Sequence, residues 1–209
     1  MTLDEVNKAV GEAQELLKEI GPKASDDHNM ALQFWAKLIS NSAAVAALAS
    51  AHYGSQAAIV HRVSIEHFAY MYGLADGLIT PERTIQQSQY EIYEKNAKGL
   101  DRATTKDEKR GLEGLTEQNK DKLGKFLGDP SNDVKSAGIN VFDILNQLDL
   151  AFFYDTYRVY SVYAAHANVV SKNWEPNQTE MEELLKSVCE LLLIANAMWK
   201  EKFYNEQRN

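Results

Sequence analysis

Cysteine is almost missing from this chain: Cys189 is the only one in 209 residues. That excludes an intrachain disulfide and a thiolate metal cluster, and it points to a reducing, cytoplasmic setting. Four prolines and eleven glycines leave little material for β-turns, and no run shows the Val/Ile/Thr alternation of strands. No window reaches the ~20 apolar residues of a membrane span. The longest candidate, Val188 to Trp199, is interrupted by Glu190 and Asn196. Basic residues are also short, 22 Lys and Arg against 30 Asp and Glu for a net charge of −8. This argues against a nonspecific grip on nucleic acid or on an anionic membrane, though a small local RNA site is compatible with it. The first residues, MTLDEVNKAVGEAQELL, are acidic and amphipathic, unlike the basic start and apolar centre of a signal peptide.

What is present reads as helix. Hydrophobic residues make up 44% and charged residues 25%, an ordinary globular balance. Thr2 with Glu5, Thr105 with Glu108 and Thr179 with Glu182 fit the capping box, and Thr80-Pro81 fits an N-cap followed by proline. Stops fall at Gly21-Pro22, Gly54, Gly77, Gly128-Asp129-Pro130 and Trp174-Glu175-Pro176. The expectation is an all-α fold, one domain over residues 1–209 built as a mostly antiparallel bundle of about seven to eight helices. Helices are predicted near Leu3–Ile20, Asp26–Tyr53, Ser55–Gly77, Pro81 to about Leu100, Lys106–Leu127, Ser131–Leu148 (short and broken), Leu150–Trp174 and Thr179–Glu206. The second and third should form a hairpin through Gly54. The Lys106–Leu127 segment is highly charged and is expected to be a peripheral, solvated helix.

The helix Ser55–Gly77 carries His61, Arg62, Glu66 and His67 among apolar and small residues. Desolvating a charge without a partner is expensive, so these groups need company. At 100° per residue Ala58, Arg62, Glu66, Ala69 and Gly73 share a face, while Ile59, Val63, His67, Met71 and Leu74 form the neighbouring apolar stripe. The plainest reading of Arg62 and Glu66 is an i,i+4 ion pair. The sharper one makes them the floor of a ligand site with partners from the Tyr-rich helix. There Tyr154, Arg158, Ser161 and Ala165 form one face and His166 lies on the next. His67 on an apolar stripe reads first as a satisfied core histidine, and the tyrosines read first as core packing. Ser25-Asp26-Asp27-His28 reads as an N-cap before it reads as a metal site. No metal or cofactor is expected, and no phosphate-binding glycine loop, nucleophile elbow or HExxH helix occurs.

Two families resemble parts of the chain. The stretch SAAVAALASAHYGSQAAIVHRVSIEHFAYMYGLADG, with Arg62 and Glu66, followed by YDTYRVYSVYAAHAN, with Ser161 and His166, is similar to a bacterial all-helical family of unknown function. Its pattern is Arg-Ser/Thr-x-x-Glu on a helix after an alanine-rich one, then a Tyr-rich helix with a serine and a histidine. Val63 stands where that pattern has a small polar residue. The family implies a fold and no reaction. Arg62 and His67, in HRVSIEH, also resemble the Arg-x4-His motif of HEPN domains, where Arg62 would steady a phosphate and His67 activate a 2′-hydroxyl without metal. That resemblance implies a toxin or antiphage ribonuclease. The first expectation is a binding or regulatory domain with a semi-buried site of Arg62, Glu66, Arg158, Ser161 and His166, taking a small molecule or a protein partner. A metal-independent ribonuclease is the alternative, and a homodimer is compatible with either.

Overall fold

A computed structural model of the chain describes residues 1–92, 94, 136–165 and 173–206. Among the described residues there is helix and no strand, as the composition required. Residues divide into two compact units, Met1–Leu78 with Asn140–Asn209, and Ile79–Ile139. No described helix is long and apolar enough to cross a membrane.

In the larger unit, helix α1 spans Leu3–Ile20 and opens with the expected capping box. The Thr2 hydroxyl accepts from the Glu5 amide while the Glu5 carboxylate accepts from the Thr2 amide. Val6, Ala9, Val10, Ala13, Leu16 and Ile20 are buried along one face. Two short 3-10 turns, Gly21–Lys23 and Asp26–His28, lead into α2, Asn29–Ser50, which begins three residues later than expected.

Helix α3, Gly54–Ala75, packs along α2 as the predicted hairpin. The turn works differently from expectation. The left-handed residue that ends α2 is His52, at φ 62°, with the His52 amide on the Ala49 carbonyl and the Tyr53 amide on the Leu48 carbonyl. That is the Schellman pattern, which normally favours glycine at this position. Gly54 instead opens α3. A Cβ there would sit 2.5 Å from Pro176 Cγ, so its place is reserved for close approach. Next to it the Ser55 amide and hydroxyl donate to the Glu175 carboxylate at 3.2 and 2.7 Å. The N-terminus of α3 is thus capped by a residue far along the chain.

In the smaller unit, α4 covers residues 81–92. Thr80 caps it as predicted, its hydroxyl accepting from the Arg83 amide. The Ser136 hydroxyl donates to Gln87 and the Arg83 guanidinium to the Ala137 carbonyl. The charged segment 106–127 and the Thr105 cap lie outside the described residues.

The larger unit resumes with α5, Val141–Gln147, and α6, Phe152–Tyr160. The predicted aromatic helix Leu150–Trp174 needs correction. After Tyr160 the chain widens into a π turn over Ser161–Ala165, and Trp174 lies in irregular backbone. At that junction the Ser161 hydroxyl donates to the Tyr157 carbonyl at 2.8 Å, competing with the helical amide for the same acceptor. Helix α7, Gln178–Glu206, closes the unit. Its cap also differs from the expected Thr179 and Glu182. Asn177 and Glu180 exchange the two capping hydrogen bonds, at 2.7 and 3.0 Å, asparagine being among the most favoured N-cap residues. Leu184, Val188, Leu191, Leu192 and Ala195 of α7 are fully buried, and Trp199 stacks on Trp35 of α2 at 5.5 Å. Lys202 reaches Asp76, just past α3, at 2.7 Å.

Candidate functional site

Helices α3 and α6 meet across one polar cluster. Arg62 and Glu66 project from the α3 face that also bears Ala58 and Ala69, both fully buried, where small side chains let another helix come close. Tyr157 and Ser161 answer from α6 and the start of the π turn. The Arg62 Nε donates to Ser161 Oγ at 2.6 Å, and its Nη2 donates to Tyr157 Oη at 2.7 Å and lies 3.2 Å from Glu66 Oε1. The Tyr157 hydroxyl donates in turn to Glu66 Oε1 at 3.0 Å. The guanidinium carbon also lies 4.5 Å from the centre of the Tyr157 ring, within range for a cation–π contact.

The expected i,i+4 ion pair is therefore present, and it is wrapped by two hydroxyls from a second element. Side-chain exposure is 21% for Arg62 and 32% for Glu66, so neither charge is fully desolvated. Burial pushes the Tyr157 phenol above its ordinary pKa. The Glu66 charge and its hydrogen bond add to the rise, and Arg62 opposes it. The hydroxyl stays protonated and can serve as donor to Glu66 and acceptor from Arg62 together. Two of the five guanidinium N–H groups donate hydrogen bonds, and Nη2 also pairs with the Glu66 carboxylate. Among the described residues, the two on Arg62 Nη1 have no protein partner, and neither has Glu66 Oε2. That edge of the cluster is unpaired among the described residues, and both side chains are partly exposed.

The model of DUF5677, a family of unknown function, matches residues 28–181. The chain belongs to this family. No curated protein and no solved structure matches it. The expected resemblance to a helical family of unknown function is borne out, and the DUF5677 segment contains all four residues of the cluster.

The remaining candidates lie elsewhere. Arg158 is exposed on α6 and makes no hydrogen bond or ion pair among the described residues. His166 falls outside the described residues. His67 is half-buried on the flank of α3 that faces α2, with Nδ1 3.1 Å from Asn41 Nδ2 and the ring 5.9 Å from that of Phe34. Burial lowers its pKa, with Glu66 raising and Lys37 lowering it by smaller amounts. Arg62 and His67 thus make their contacts on different helices, as a separation of about 140° around α3 requires. In the Ser25–His28 stretch, Ser25 Oγ and His28 Nδ1 lie 3.0 Å apart, and the His28 ring meets Trp199 edge-on at 5.8 Å.

His61 is the fully buried member of the group. Its Nε2 is 2.9 Å from Ser187 Oγ on α7, and its Nδ1 has no partner among the described residues. An unpaired lone pair costs less than an unpaired N–H, so the tautomer carrying its proton on Nε2 fits this environment. Burial lowers its pKa to about 3, keeping the ring neutral.

Sequence reasoning missed Tyr157 as a site residue. The signal was there: Tyr157 is four residues before Ser161, about 40° away on an α-helix, whereas Arg158 is about 60° away on the other side.

Proposed function

We propose that this domain is a non-catalytic binding or regulatory module whose ligand meets the open edge of the Arg62 cluster. One observation carries the reading: a guanidinium held in place by Ser161, Tyr157 and Glu66 whose Nη1 donors, among the described residues, are unused at 21% side-chain exposure. A charge built only to join helices has no need of a free edge, and arginine's fixed fork makes that edge directional. Glu66, paired with the same guanidinium through Oε1, has Oε2 as a further acceptor. Adjacent donors and an acceptor suit a small polar molecule, or a protein segment, that presents an acceptor and a donor side by side, as an amide or an amino acid does. The fixed geometry limits the entropy lost on binding.

The test compares Arg62→Lys with the wild-type chain in a thermal-shift screen of amides, amino acids and their analogues. Lysine keeps the charge and loses the fork. At least one compound is expected to raise the wild-type Tm by about 2 °C or more, as binding well above Kd requires, and to leave Arg62→Lys unmoved. A screen with no responding compound, or one whose hits stabilise both proteins equally, overturns the reading.

A further inference from the structure

A second concavity lies on the other side of α6, outside the Arg62 cluster. It has a volume of about 580 Å³ and is walled by Tyr160, Tyr163 and Trp174, with Asp155, Glu180 and Glu183 around it. The Tyr160 and Tyr163 rings lie 6.4 and 6.0 Å from the Trp174 ring, inclined to it by 46° and 48°. Three aromatic rings therefore line one space, with Trp174 inclined to both tyrosines and stacked on neither. Three carboxylates share that space, and among the described residues no lysine or arginine lines it. Glu180 is partly occupied by the Asn177 amide at the start of α7, which among the described residues leaves Asp155 and Glu183 as the freer charges. The phenol of Tyr160 is pushed up to about 12, first by burial and then by Glu183 and Glu180, in keeping with carboxylates close to the ring edge.

We infer that this groove binds an organic cation, an alkylated ammonium or a protonated polyamine. Aromatic faces attract cations through their quadrupoles, tryptophan most strongly, and carboxylates at the rim supply longer-range attraction. A bare divalent metal fits less well. No group of three metal-ligating side chains converges among the described residues, and aromatic walls offer such an ion no oxygen ligands. Both kinds of organic ammonium share the chemistry the site recognises, and they differ in reach. A quaternary head needs only the aromatic rings, whereas a polyamine also spans to the outlying carboxylates.

Trp174 provides the readout. The chain's other two tryptophans, Trp35 and Trp199, are stacked on each other and buried, so a ligand in the groove reports through Trp174. Choline and spermidine are titrated separately into the full chain, with magnesium chloride as a control at matched ionic strength. The expected result is a saturable fluorescence change for at least one of the two. Tyr163→Ala and Glu183→Gln alter exposed side chains and should keep the wild-type circular dichroism. Each is expected to weaken binding about tenfold. Choline binding better assigns the groove to a quaternary head, and spermidine binding better assigns it to an extended amine. The inference is overturned by no saturable change with either amine up to about 20 mM, the weak end of useful affinity. Equal responses to magnesium, or unchanged affinity in both variants, overturn it as well.

Discussion

Replacing Tyr157 by phenylalanine removes one oxygen and leaves almost everything else in place. The ring remains under the Arg62 guanidinium at 4.5 Å, and the volume of α6 is unchanged. What goes is the acceptor for Arg62 Nη2 at 2.7 Å and the donor to Glu66 Oε1 at 3.0 Å. Each is a hydrogen bond to a charged group, worth about 1.5–3 kcal/mol when water cannot replace it. Water can partly replace both here, because Arg62 and Glu66 are 21% and 32% exposed and still pair directly at 3.2 Å. The net loss should therefore be about 1–2 kcal/mol. Urea denaturation followed by circular dichroism measures it, and a double-mutant cycle with Glu66→Gln isolates the pair. A coupling energy of about 0.5 kcal/mol or more is expected between the two positions. Additive effects within error would refute the claim that the Tyr157 hydroxyl bridges the two charges.

Two further outcomes follow from the same packing. His61 holds a proton less readily in the folded protein, at about 3, than its ordinary value of 6.5. The unfolded chain therefore binds more protons below pH 6.5, so stability falls as pH drops through that window toward 3, with a slope of about one proton. His67, also lowered by burial, adds to the upper part of this limb. Urea midpoints measured from pH 7 to pH 4 should fall less steeply in His61→Gln, and an unchanged slope would show that His61 is not the buried neutral group described. Gly54→Ala places a Cβ 2.5 Å from Pro176 Cγ and should cost about 1–3 kcal/mol despite alanine's better helix propensity. A Tm at or above that of the wild type would contradict the close approach.

Much of the helical frame could be read from local chemistry. Capping at Thr2 and Thr80 depends on side chains within three residues, and the α2–α3 hairpin depends on a short connection between two long apolar helices. The errors arose where distant residues decide the local structure. Gly54 looked like a helix stop because a glycine after an alanine run usually is one, yet its role is set by Pro176, over a hundred residues away. The aromatic helix looked continuous because tyrosine, valine and alanine carry no break signal, and the π turn at Ser161 follows a side-chain hydrogen bond that no composition rule contains. The site was half legible. Spacing alone put Arg62 and Glu66 on one face, and Ser161 was among the expected partners. Tyr157 was hidden among tyrosines recurring every third residue, where packing is the default. The fully buried His61 drew less notice than His67, since neither burial depth nor a partner such as Ser187 can be read along one helix.

Helix α7 has a practical bearing on how the family is handled. The matched segment, residues 28–181, stops after the first turn of α7 and omits α1. Leu184, Val188, Leu191, Leu192, Ala195 and Trp199 lie beyond that limit, and all are at the centre of the core. A recombinant fragment cut at the family's borders would keep every residue of the Arg62 cluster while exposing the apolar faces of α2 and α3. The boundary drawn by sequence similarity cuts through this core and is not a unit of folding. Loss of binding in such a fragment would therefore report a collapsed scaffold and would carry no information about the ligand.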